Sequence, residues 1–219
     1  AIGYQALGAN TGNNNTAVGD QALEANIGGT NNTAMGDDAL VANTTGDGNT
    51  AIGASALDAN TTADNNTAIG ISALGANSTG AGNTAVGQRA LTANTTADSN
   101  VSVGKDSMVA NTTGHSNNAL GTSALQNNTT GNFSTGVGHT ALFANTTGSN
   151  TAVGALALKT VTTGGNNVAV GREALEACTG DNNTAVGYRA GEAITAGIQN
   201  TFIGSNAGDA TTNASDNVA

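Results

Sequence analysis

The 219-residue chain has no proline, no tryptophan and one cysteine, and aromatic residues make up 2% of it. Without bulky rings it cannot fill the interior of an ordinary globular domain, whose core and interface energetics lean on large side chains. One cysteine, Cys178, closes no intrachain disulfide, so no cystine framework holds the fold. Lysine and arginine number only five against fifteen acidic residues, a net charge of −10. A chain so poor in cations has no basic surface for a polyanion, which argues against nucleic acid and anionic membrane as partners. No apolar run approaches the roughly 20 residues that span a bilayer, so membrane insertion is not expected.

What is present is equally one-sided. There are 32 glycines, and small and aliphatic residues bring the hydrophobic fraction to 37%. That is too much apolar surface for a polar disordered chain. Small side chains suit thin, tightly wound layers.

The residues repeat. Aligned on the glycine that follows a β-branched or aliphatic residue (Gly3, Gly19, Gly36, Gly53, Gly70, Gly87 and onward to Gly204), the spacing is 16 or 17 throughout. Asn49 to Asn65 is a representative unit, with the pattern Asn-Thr-Ala-Ile-Gly-x-x-Ala-Leu-x-Ala-Asn-Thr-Thr. A unit this short cannot hold the helix pair of the longer helical repeats, and it fits one coil of short strands and turns. The fold class expected is therefore all-β: a parallel β-solenoid of about 13 coils of 16–17 residues. It would form a single continuous array over residues 1–219, uncapped at both ends. At the usual strand spacing such a rod is roughly 62 Å long.

Two strands per coil are expected, Asn-Thr-Ala-Val/Ile and Ala-Leu-x-Ala-Asn. Their core columns would be Val18, Ile52, Ile69 and Val86 from the first and Leu23, Leu57, Leu74 and Leu91 from the second. The intervening alanines (Ala17, Ala34, Ala51) would then face outward as a flat ribbon, and the variable Asp58 position would face solvent.

Two asparagine columns flank these segments. One contains Asn32, Asn49, Asn66 and Asn83, the other Asn43, Asn60, Asn77 and Asn94. Stacked asparagine amides can bond the coil above and the turn backbone, satisfying groups that a turn leaves unpaired. The competing reading is glycan attachment. Asn43, Asn60, Asn77, Asn94, Asn111, Asn128 and Asn145 are each followed by Thr-Thr or Ser-Thr, formal N-glycosylation acceptors on an expected exposed turn.

Catalysis needs convergent unlike groups, and this repeat does not supply them. His115 and His139 stand in different coils at different repeat positions, and the aspartates recur at no fixed phase. No catalytic residue, metal ligand or cofactor is assigned, and the chain is not expected to be an enzyme.

The unit Asn-Thr-Ala-Val/Ile-Gly-x-x-Ala-Leu-x-Ala, running from Gly3 to Gly204, resembles the head repeat of trimeric autotransporter adhesins, the YadA-like heads. Phage tail-fibre and secreted bacterial fibre repeats look similar. The resemblance implies a left-handed parallel β-roll, association of three chains side by side, and a surface that meets host matrix or cells. This chain departs from it by the added Asn-Thr-Thr-Gly turn and by the lack of stalk heptads. The function expected is a structural or adhesive extracellular fibre module at the cell surface. Its partners would be copies of itself, as a head-to-tail filament or a lateral trimer, with glycans or a cell surface as further possibilities. The alternative is a carbohydrate- or ice-binding solenoid.

Overall fold

The computed structural model describes residues 1–209 and 212–219. They form two compact units, Ala1–Thr113 and Gly114–Ala219, each built from the same coil. The chain is an all-β solenoid of parallel strands, and the described residues contain no helix.

Six three-residue strands belong to the first unit: β1 Thr16–Val18, β2 Thr33–Met35, β3 Thr50–Ile52, β4 Thr67–Ile69, β5 Thr84–Val86 and β6 Val101–Val103. Six belong to the second: β7 Asn118–Leu120, β8 Thr135–Val137, β9 Thr151–Val153, β10 Val168–Val170, β11 Thr184–Val186 and β12 Thr201–Ile203. Within each unit every strand pairs in parallel with the next one in the chain, so one coil climbs one strand spacing. The register sets like on like: Thr33 opposes Thr50, Ala34 opposes Ala51 and Met35 opposes Ile52. Isolated bridges extend the ladder at Ile2 against Val18 and at Val218 against Thr201.

The core differs from the sequence expectation in which face points inward. The strand's middle residue is buried, so Ala17, Ala34, Ala51, Ala68 and Ala85 line the interior. Val18, Ile52, Ile69 and Val86 lie on the opposite, outward face; Ile52 is 36% exposed and Ile69 38%. The leucine column does lie inside, and Leu23, Leu57, Leu74 and Leu91 are fully buried. The reason is width. A Cβ added to Gly136, at the strand's middle position, would stand 3.3 Å from Cγ of Leu125. The leucines thus fill the coil up to the strand, leaving room opposite them for a methyl group. Outward and inward side chains alternate along a strand. Seating Ala inside therefore puts both Thr and Val/Ile outside.

The second expected strand does not form. Ala-Leu-x-Ala is a succession of turns, in which Ala56 N–H donates to Gly53 O at 3.3 Å and Asn60 N–H to Leu57 O at 3.1 Å. Ser55 and Leu57 both take left-handed backbone angles, with φ of 53° and 52°, and the leucine column repeats this in coil after coil. Left-handed backbone costs an L-residue about 1–2 kcal/mol. Burying the leucine returns about 1.5–3 kcal/mol. Its amide is also satisfied between coils, where Leu57 N–H donates to Ala73 O at 3.1 Å. The segment is thus ladder-bonded to its neighbour without being extended.

The glycine after each strand is there for a close approach. Gly53 has a φ of 132°, and a Cβ on it would stand 2.6 Å from the carbonyl oxygen of Gly70 in the next coil. Only the residue without a side chain lets consecutive coils stack at this corner.

Candidate functional site

Two features recur in every regular coil and differ in chemistry: a buried asparagine clamp and an exposed sheet face. The clamp sits at the turn that closes the coil. Asn49 Nδ2 donates to Ala63 O at 2.8 Å, and Asn60 Nδ2 donates to the same oxygen at 3.1 Å. The pattern repeats with Asn32 and Asn43 on Gly46 O, Asn66 and Asn77 on Gly80 O, and Asn83 and Asn94 on Ala97 O. The columns also bond along the axis. Asn49 N–H donates to Asn32 Oδ1 at 2.8 Å, and Asn60 Nδ2 donates to Asn43 Oδ1 at 2.9 Å. Every buried side-chain nitrogen and oxygen among the described residues has a partner.

This burial changes the reading of the Asn-Thr-Thr and Asn-Ser-Thr acceptors. Asn43, Asn60, Asn77, Asn94, Asn111, Asn128 and Asn145 are fully buried, with side-chain amides that donate inside the protein. They lie in the wall of the coil and not on an exposed turn, because the turn carbonyl needs their donors. In the second unit the same column continues as Val161, Cys178 and Ile194, all buried. Burial raises the Cys178 thiol above its ordinary value, and Asn183 Nδ2 lies 3.4 Å from its sulfur. It fills a core position.

The sheet face consists of the outward residues of each strand: a threonine, replaced by Val101, Asn118 and Val168 in β6, β7 and β10, then an aliphatic residue two positions on. In β1 to β5 these are Thr16, Thr33, Thr50, Thr67 and Thr84 with Val18, Met35, Ile52, Ile69 and Val86. The rank carries no charge. Among the described residues no protein group hydrogen-bonds those five hydroxyls. The turn hydroxyls behave differently: Thr44 Oγ1 donates to Thr61 O at 2.9 Å, Thr61 Oγ1 to Ser78 O at 3.3 Å and Ser78 Oγ to Thr95 O at 3.1 Å. One threonine column is consumed by the backbone and the other is open to water. Sequence reasoning did not single out the sheet rank. The signal was the strand's period of two.

Charged groups gather at one place in the second unit. Glu173 is buried, with Arg172 Nη2 donating to Oε1 and Arg189 Nε to Oε2, each at 2.6 Å. Hydrogen bonding from Arg189 and then from Arg172 holds the Glu173 carboxyl below the usual range, against the opposing effect of its burial. Both guanidinium groups also lie over the Tyr188 ring, at 5.2 Å for Arg189 and 6.0 Å for Arg172. Glu176 and Glu192 bring their carboxylates within 4.8 Å of it, but both oxygens of Glu173 are already engaged by arginine. The group is an ion-pair network that steadies neighbouring turns. Asp58, expected in solvent, is half-buried, and that burial raises its carboxyl above 3.8 despite amide hydrogen bonds that lower it. His115 meets Phe133 edge to face at 5.8 Å, and His139 lies elsewhere, in a different turn.

No helix of the described residues is long and apolar enough to cross a membrane. No protein-family model matches the chain, and neither the curated proteins nor the solved structures contain a match.

Proposed function

We propose that the chain is a structural and adhesive module of an extracellular fibre, a repeat shaft whose copies associate through the sheet face. The observation that carries this reading is the uncharged file of aliphatic side chains left open on every strand, including Met35 at 43%, Ile52 at 36% and Ile69 at 38% exposure. Contiguous apolar surface of this kind marks association sites. A chain with a net charge of −10 that keeps charge off one face has a face suited to a like surface. The role is mechanical: coils locked by inward amides give stiffness, and the outer face gives lateral contact, either between copies or with a cell surface.

The test is sedimentation velocity of the native chain beside Ile52→Lys/Ile69→Lys. Both positions point outward, so the variant should keep the native circular dichroism spectrum while losing the assemblies that the native chain forms. A native chain that stays monomeric at high concentration, with no filament or lateral oligomer in electron micrographs, refutes the proposal.

A second reading is favoured by one observation, the rank of unpartnered threonine hydroxyls at regular strand spacing. Such a rank could order water or sugar hydroxyls, as an ice- or carbohydrate-binding face would. Ice-recrystallisation and glycan-array assays on the same two proteins separate it from the first. Loss of ice or glycan binding in the lysine variant, with the native chain monomeric, would favour this reading.

A further inference from the structure

The chain carries a second set of Asn-X-Thr acceptors, and the structure treats it in the opposite way from the buried column. Asn14, Asn31, Asn65 and Asn182 each stand two residues before a strand's leading threonine: Thr16, Thr33, Thr67 and Thr184. All four are exposed, at the left-handed position of the turn into the strand, with φ between 58° and 60°. Their side-chain bonds are few and face water. Asn14 Nδ2 donates to Asn31 Oδ1 at 3.2 Å, Asn31 Nδ2 lies 3.3 Å from Thr30 Oγ1, and Asn182 Oδ1 accepts from Asn166 Nδ2 at 3.4 Å. None of these bonds reaches the core, and water can replace each one.

We infer that the folded chain accepts N-linked sugar at Asn14, Asn31, Asn65 and Asn182, and that its seven Asn-Thr-Thr and Asn-Ser-Thr acceptors are closed. The chemistry requires a free amide. Nδ2 loses a proton and bonds the anomeric carbon of an activated sugar. The bond from that carbon to the donor's phosphate oxygen breaks, and the phosphate-bearing group leaves with the electron pair. The donor is a nucleotide- or lipid-linked sugar phosphate presented by a transferase that reads Asn-X-Ser/Thr, and nothing is oxidised or reduced. At Asn60 the same substitution would remove a hydrogen from an amide that already donates to Asn43 Oδ1 and Ala63 O, in a wall with no space for a sugar. At Asn65 it replaces a hydrogen that faces solvent. Asn166 is the internal control. It is exposed in the same backbone conformation, with φ of 58°, but the residue two places on is Val168, which offers no hydroxyl.

The experiment uses an asparagine glycosyltransferase chosen because it modifies synthetic peptides spanning both Asn60-Thr61-Thr62 and Asn65-Asn66-Thr67. The folded full chain is incubated with it and its nucleotide-sugar donor, and occupancy is read residue by residue by glycopeptide mass spectrometry. Asn14, Asn31, Asn65 and Asn182 should be modified and Asn166 should not. Asn60 should react more slowly than its peptide by a factor on the order of a thousand, the scarcity of opened molecules in a folded population. Modification of the buried column at a peptide-like rate overturns the inference. So does an Asn65 that reacts in the peptide but stays unmodified in the folded chain.

Discussion

Phe202 is a substitution experiment already present in the chain. It occupies the inward strand position that alanine, serine or glycine holds elsewhere, and it is fully buried. The leucine position of the preceding coil is Gly191, and that of its own coil is Gly208. A Cβ on Gly191 would stand 2.8 Å from Phe202 Cδ2, and one on Gly208 would collide with the same ring. One ring has therefore replaced two leucine side chains. The equivalent residues around Ala51 are Leu40 and Leu57, both fully buried. Ala51→Phe alone overpacks the coil and should cost at least the usual 1–3 kcal/mol, about the range for added methylenes. Leu40→Gly/Leu57→Gly removes two buried side chains at about 2–5 kcal/mol each. Glycine at φ near 52–54° returns about 1–2 kcal/mol of backbone strain per site. The pair then loses about 0–8 kcal/mol, centred on about 4 kcal/mol. The triple variant should recover to within about 2 kcal/mol of the native chain, which at the middle of these ranges is a coupling of about 4 kcal/mol. Urea titration followed by circular dichroism, with hydrogen exchange at the Ala51 coil as the local readout, measures all four corners of the cycle. A coupling below about 0.5 kcal/mol, the level of independent sites, would refute the account of the interior.

Three further outcomes follow from the coil. Asn60→Ala orphans Asn43 Oδ1 and one hydrogen of Asn77 Nδ2, so it should destabilise by about 2–6 kcal/mol; chemical denaturation would show whether Asn60→Val, the side chain this column already carries at Val161, costs less. Gly53→Ala places a methyl carbon 2.6 Å from the Gly70 oxygen at a φ of 132°, and should leave the protein insoluble or lacking native hydrogen-exchange protection around that corner. Burial raises the Asp58 carboxyl above 3.8, so the folded state bears a penalty wherever the unfolded chain would be ionised, and the penalty disappears as pH falls through the raised value and then through 3.8. Asp58→Asn should therefore raise the melting temperature at pH 7, with the advantage shrinking toward pH 3; an advantage that grows on acidification would contradict this.

The winding of the chain was legible in the sequence because one glycine per coil fixes the period, and the asparagine columns follow from the same alignment. The inward face was not. Ala51 and Ile52 are both apolar, so polarity does not choose between them, and a three-residue strand has too little alternation to decide. Size decides instead. The inward position holds Ala17, Ala34, Ala51, Ser102, Ala119 and Gly136, while the outward one ranges over Val18, Met35, Ile52 and Leu120. Tolerance of large aliphatics marked the open side. Where a large residue does enter, at Phe202, two glycines appear at the leucine positions it displaces, and that correlation could have located the interior without coordinates. The leucine turns were hidden for a different reason: left-handed backbone is rare in bulky residues, and only Gly191 and Gly208 at leucine's place hinted at it. The open and closed acceptor columns look alike in sequence because both are Asn-X-Thr, and the distinction lies in which amides the turn carbonyls recruit.

The interchange of 16- and 17-residue coils has a consequence for how such a protein changes over generations. Between Ser134 and Asn150 a coil is one residue shorter, yet Asn150 Nδ2 still reaches Gly164 O at 2.7 Å and Thr151 still opposes Thr135. The closing bend absorbs the missing residue and passes no offset to its neighbours. Unequal recombination between near-identical segments can therefore add or remove whole windings without a junction having to be repaired. The number of windings becomes a quantity that drifts in whole steps while each winding keeps its own closure, much as a thread can be cut anywhere along its pitch and still take the same nut.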